Sequence, residues 1–171
     1  MIFIVYNHSF VLDNRQGVQA AISQVNSTGS EIDSILSNST SLSNETKSSL
    51  STLKTLMESL TASLQSYFNL LSARRHRRSS GRDNILGHHQ VETIPTYNLY
   101  LDCLNANSCY TLLNDMKDLY SNAINNTTSI QSTDNTSISS FSTSTLSVLQ
   151  SHLSMINIQM AELKNKCPSI N

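Results

Sequence analysis

The stretch LSTLKTLMESLTASLQSYFNLL, residues 50–71, decides the fold of this chain. Leu50, Leu53, Met57, Leu60, Leu64, Tyr67 and Leu71 occupy successive a and d positions of a heptad without a slip. A helix gathers that spacing onto one stripe, whereas a strand would scatter it over both faces. Between these positions Ser and Thr are the commonest residues, and both are mediocre helix formers. The helix therefore needs a partner along its stripe to persist in water.

Working toward the N-terminus, the same register picks up Ile22, Val25, Gly29, Ile32 and Leu36, then meets Ser39, Ser43 and Thr46. The pattern predicts one long helix over 17–73. A break falls near 26–30, where Asn26-Ser27-Thr28-Gly29 reads as a turn and Ser30 with Asp33 as a capping box. The polar seam at Ser39, Ser43 and Thr46 weakens it further. Residues 1–16 form an N-terminal segment: Met1-Ile2-Phe3-Ile4-Val5-Tyr6 is apolar but short, with no basic residue before it, and makes a poor secretory signal.

Working toward the C-terminus, a partner stripe appears in Leu146, Leu149, Leu153, Ile156, Met160, Leu163 and Cys167, on a helix over 128–167 that Pro168 ends. Ile138 and Phe141 fall outside that register and imply a stutter near Ser144. A short helix over 110–125 carries Leu113, Met116, Tyr120 and Ala123 on one face, and Asn125-Asn126-Thr127-Thr128 reads as the turn after it. Residues 93–109 read as an extended segment with a cysteine loop, because Ile94-Pro95, Tyr97, Leu99 and Leu101 alternate. The fold class is mostly α: long heptad-bearing helices packed as an antiparallel bundle or coiled coil, with one short extended segment. The Leu53–Leu64 stripe is expected to pack against the Leu149–Met160 stripe.

Composition limits the function. Charged residues make up 13% of the 171, and the net charge is −1. Ser and Thr together reach roughly a quarter, so the surface is built from hydroxyls and amides rather than ions. No global field steers a polyanion, which disfavours nucleic acid as a partner. No stretch reaches the roughly 18 apolar residues of a membrane span. The chain reads as soluble, and as a piece of a longer precursor if it works outside cells.

The charge that exists is concentrated. Arg74, Arg75, Arg77, Arg78 and Arg82 are five of the eleven Lys and Arg residues. Residues 74–92 are expected to form an exposed basic loop, since like charges packed that tightly repel and resist burial. Arg75-His76-Arg77-Arg78 before Ser79 has the pattern cut by furin-type proprotein convertases, which need an extended segment. The same residues would also serve nuclear targeting or RNA contact, or stand as an inert solvated loop.

Seven Asn-x-Ser/Thr sequons occur, against about five expected by chance from this composition. Asn38, Asn44, Asn126 and Asn135 are the glycosylation candidates. Of the three cysteines, Cys103 and Cys109 are close enough in sequence to bridge across a turn, leaving Cys167 over; three reduced thiols is the competing reading. His88-His89 with Cys103 and Cys109 fits no zinc-finger spacing, so no metal is assigned. No nucleophile motif, phosphate loop or cofactor motif is present, and Asp115 with Asp118 reads as a solvated helix face rather than an acid–base pair.

The multibasic site, the Pro-containing stretch after it, Leu101-Asp102-Cys103, Asn107-Ser108-Cys109 and Leu112-Leu113 together resemble the cleavage region of viral class I fusion glycoproteins, coronavirus-like spikes in particular. The resemblance covers about a third of the chain, and a long helix precedes the basic site where such spikes are mostly β. The Ser/Thr/Asn-rich heptads equally resemble viral attachment-fibre stalks. What it implies is a non-enzymatic structural or interaction protein at a virion or cell surface, with a host protease and another helical protein, or a second copy of itself, as partners. The alternative is an intracellular accessory protein, cytoplasmic or nuclear, that uses the basic loop for nuclear entry or RNA binding.

Overall fold

The computed structural model describes residues 15–38, 41–79, 106–131 and 136–170, with 72–79 as backbone. These residues form four helices: α1 (Arg15–Asn38), α2 (Asn44–Ser79), α3 (Ala106–Gln131) and α4 (Thr136–Lys166). Among the described residues there is no strand, and the helices pack against one another around a single apolar core.

The stripe at 50–71 is buried throughout, with Leu50, Leu53, Leu60, Leu64 and Tyr67 wholly covered. Its partners differ from the expectation. α2 packs on α1 and α3, and the main partner of α4 is α3. Both stripes belong to the one core, each facing mainly its neighbouring helices.

The long helix expected over 17–73 is two helices, the first ending at Asn38 and the second starting at Asn44. Ser43 caps α2: its Oγ accepts the Thr46 backbone N–H at 3.1 Å and shares a hydrogen bond with Thr46 Oγ1 at 2.9 Å. Leu42 is buried just before the cap. The polar seam positions thus mark the corner of a hairpin. The expected break at 26–30 is absent, and α1 runs straight through it. Thr28 and Ser30 there donate to the carbonyls of Gln24 and Asn26, four residues back, so their hydroxyls are satisfied inside the helix. Gly29 faces Met57, whose Cβ would lie 3.9 Å from an added methyl, so its smallness serves a close helix approach rather than a turn.

Asp33 pairs with Lys54 at 2.6 Å and Asn26 accepts from Thr61 Oγ1 at 2.9 Å, so α1 and α2 run antiparallel. The ion pair is solvent-exposed and fixes register more than it stabilises. In the second hairpin, Gln131 donates to Thr143 at 3.1 Å at one end, and Lys164 Nζ lies 5.0 Å from the Tyr110 ring at the other. α3 and α4 are therefore antiparallel too.

α3 is longer than expected at both ends. Cys109, Leu113, Met116, Tyr120, Ala123, Thr127 and Ile130 form one unbroken buried stripe. Residues 125–128, expected to turn, stay helical because Thr127 and Thr128 donate to the carbonyls of Ala123 and Ile124 at 2.7 and 2.8 Å. Burial of Ile130 favours carrying the helix through. Residues 93–105 lie outside the described residues, and with them the expected extended segment.

Candidate functional site

The buried face of α4 is where polar chemistry enters the core. Taken from apolar residues alone, the stripe includes Leu146 and Leu153. In the structure both are half-buried, and Thr145 and His152, one residue earlier in each case, take the inward positions with Gln159. The expected stutter near Ser144 is absent: the register set by Ile138 continues through polar residues. Ile138, Ser142, Thr145, Leu149, His152, Ile156, Gln159 and Leu163 alternate steps of four and three from the start of the helix, with Phe141 buried beside them, and polar residues interrupt the apolar character of the face. Ser142 is also on this face, and its Oγ is buried without a hydrogen-bond partner.

His152 is the centre of a node that joins three helices. Its Nδ1 lies 2.9 Å from the Tyr120 hydroxyl on α3, and its Nε2 lies 2.6 Å from Gln24 Oε1 on α1. An amide oxygen only accepts, so Nε2 carries the proton and donates to Gln24, while Nδ1 accepts from the Tyr120 O–H. The Tyr120 and His152 rings meet edge to face, with centroids 5.4 Å apart. Every bond of this arrangement is made by a neutral imidazole. Burial pushes the His152 pKa down to about 4 and raises that of the Tyr120 phenol well above its ordinary value.

Chemically, a Tyr–His pair resembles a nucleophile with its base. Here the residues are 1% and 2% exposed, enclosed by helix backbones. That enclosure suits holding helices together and gives a substrate no approach. The node was missed in sequence because a lone His and Gln on helix faces look like surface. The signal that could have found it is the seven-residue spacing of Thr145, His152 and Gln159, in phase with Ile138.

The residues singled out in sequence lie elsewhere. Arg74, Arg75, Arg77, Arg78 and Ser79 do not begin a loop: they are the last turns of α2. Arginine is a good helix former, and cations at a helix C-terminus interact favourably with its dipole, which opposes the mutual repulsion that argued for a loop. The rest of the expected basic loop, 80–92, lies outside the described residues.

Cys109 is buried in the first turns of α3 as a thiol, and Cys167, one residue past the end of α4, is the disulfide-bonded cysteine. The expected Cys103–Cys109 bridge is therefore not formed. Helix formation from Ala106 onward removes the turn that would have closed it, and Cys103 itself lies outside the described residues. Asn38 and Asn44 are exposed on either side of the α1–α2 corner. Asn126 is half-buried with its Oδ1 covered and without a hydrogen-bond partner, which makes it a poor glycan acceptor, and Asn135 lies outside the described residues.

Among the described residues no cluster of His, Cys, Asp or Glu could hold a metal ion, and no helix is long and apolar enough to cross a membrane. No family model, curated protein or solved structure matches the chain.

Proposed function

We propose that this chain is a non-enzymatic helical structural module of a surface protein, folded in an oxidising compartment, with the arginine-rich end of α2 as its contact or processing element. The observation that carries the reading is the disulfide at Cys167. Disulfides persist outside the reducing cytosol and are rare within it, so this bond favours the surface reading over an intracellular accessory role. The burial of the Tyr120–His152–Gln24 node supports the non-enzymatic part. The antiparallel hairpins close into an antiparallel four-helix bundle whose hydroxyl-rich outer faces meet another helical protein or a second copy.

Helical residues 74–79 also refine the processing idea. A convertase acts on extended chain, so cleavage after Arg78 requires the last turns of α2 to unwind first. Secretory expression followed by non-reducing mass spectrometry tests the reading. The expected result is Cys167 in a disulfide, with an endoglycosidase-sensitive glycan on Asn38 or Asn44. Fully reduced cysteines and unmodified sequons in natively produced protein would overturn it in favour of the intracellular role.

A further inference from the structure

We propose that the end of the α1–α2 hairpin where α1 begins and α2 finishes is a binding site for sulfated polysaccharide. The inference deepens the contact role given above to the arginine-rich end of α2, and it rests on that reading of the protein as a surface module.

The hairpin segregates its charge. Arg15, the first residue of α1, holds its guanidinium carbon 4.6 Å from the centre of the Phe68 ring on α2. Arg74 follows Phe68 by less than two turns of helix, so the start of α1 and the arginines of α2 share one end of the hairpin. Residues 15–30 of α1 and 59–79 of α2 contain no Asp or Glu, and they carry Arg15, Arg74, Arg75, Arg77 and Arg78. The other half of the hairpin holds Glu31, Asp33, Glu45 and Glu58 against Lys47 and Lys54. Along the chain, the carboxylates nearest the arginines are Asp13 and Asp83, two against six once Arg82 is counted. A net charge of −1 for the whole chain therefore coexists with a cationic end.

Helix geometry arranges that charge. In the register of the buried stripe, the positions after Leu71 are Arg74 and Arg78, so the apolar seam stops where the cations begin. At about 100° per residue, the positions of Arg74, Arg75, Arg77 and Arg78 fall within an arc of about 160° on one side of α2, and that of His76 falls outside it. Cations gathered in this way suit a chain of closely repeated anions, which meets several of them at once. A guanidinium donates two parallel N–H bonds to an oxyanion and keeps its charge at any physiological pH. Two features favour a sulfated polysaccharide over a nucleic acid. The disulfide at Cys167 suits an oxidising compartment, where sulfated glycans are the abundant linear polyanions. Residues 72–79 also contain no Phe, Tyr or Trp on which a base could stack.

Titration calorimetry of the full chain with heparin tests the site. We expect saturable binding that weakens by on the order of tenfold or more when salt is raised about fourfold. A variant combining Arg74→Gln, Arg75→Gln, Arg77→Gln and Arg78→Gln should bind on the order of tenfold more weakly or worse, with its circular dichroism preserved. Lys47→Gln with Lys117→Gln, which removes cations elsewhere, should bind as the parent does. Arg15→Gln should give an intermediate loss, and it serves if the arginine-run variant does not fold. The proposal is overturned if desulfated heparin or single-stranded DNA binds as tightly as heparin, or if the folded arginine variants bind as the parent does. Absence of heparin binding overturns the site alone and leaves the surface reading standing on the Cys167 disulfide. Sulfate-dependent binding by a protein whose native Cys167 is reduced supports the site and removes the surface reading.

Discussion

The stripes of α2 and α4 carry the same kind of heptad text and were put to different uses. Along α2 every a and d position from Leu50 to Leu71 is apolar and buried. On α4 the inward face interleaves Ile138, Phe141, Leu149 and Ile156 with Thr145, His152 and Gln159. An all-apolar stripe is served by any partner of the right shape. A mixed stripe accepts only a partner that meets its polar groups, because a buried donor or acceptor left unmade costs more than the bond contributes. The α2 stripe therefore supplies stability, and the α4 stripe selects which helices come together and in what register.

Breaking the apolar side of this comparison should have the largest effect. Leu60→Ala, at a wholly buried position, is expected to cost about 2–5 kcal/mol in chemical denaturation. Leu153→Ala, at a half-buried position on α4, should cost about 1 kcal/mol, although in sequence the two leucines look equivalent. Equal losses would mean that the inward face of α4 has been assigned one residue out of phase.

The polar side is tested by Tyr120→Phe, which removes the donor to His152 Nδ1 and changes little else in shape. We expect a loss of about 1–3 kcal/mol, with the near-ultraviolet signal of the remaining tyrosines preserved. A neutral result would mean that the node contributes no net stability. Smaller still is Ser43→Ala, which removes the α2 cap and should cost about 1 kcal/mol. Gly29→Ala should go the other way and gain about 0.5–1 kcal/mol, since helix propensity improves and the new methyl meets Met57 at ordinary contact distance.

The comparison also explains what sequence could and could not tell. The α2 stripe was legible because seven apolar residues in one register leave little else to choose. The division between α1 and α2 was read as a weak seam rather than a helix end, because Leu36 and Leu50 stand two heptads apart and the register runs on as if the helix never stopped. Residues 125–128 look like a turn by composition, yet hydroxyl-to-carbonyl bonds and the pull of Ile130 keep them helical. The basic cluster was judged by repulsion alone, without the helix C-terminus that offsets it. His152 escaped notice for a deeper reason. This histidine becomes a core residue only when two others, 32 and 128 residues earlier in the chain, arrive to bond both ring nitrogens.

The most direct test of this account is the imidazole titration of His152 by heteronuclear NMR in the folded chain, assigned with His152→Gln. The account predicts a neutral ring with the proton on Nε2, unchanged from neutral pH down to about 4 for as long as the fold persists. A titration near the ordinary value of about 6.5 in the folded protein would contradict it, because the ring would then face water and the node would not exist.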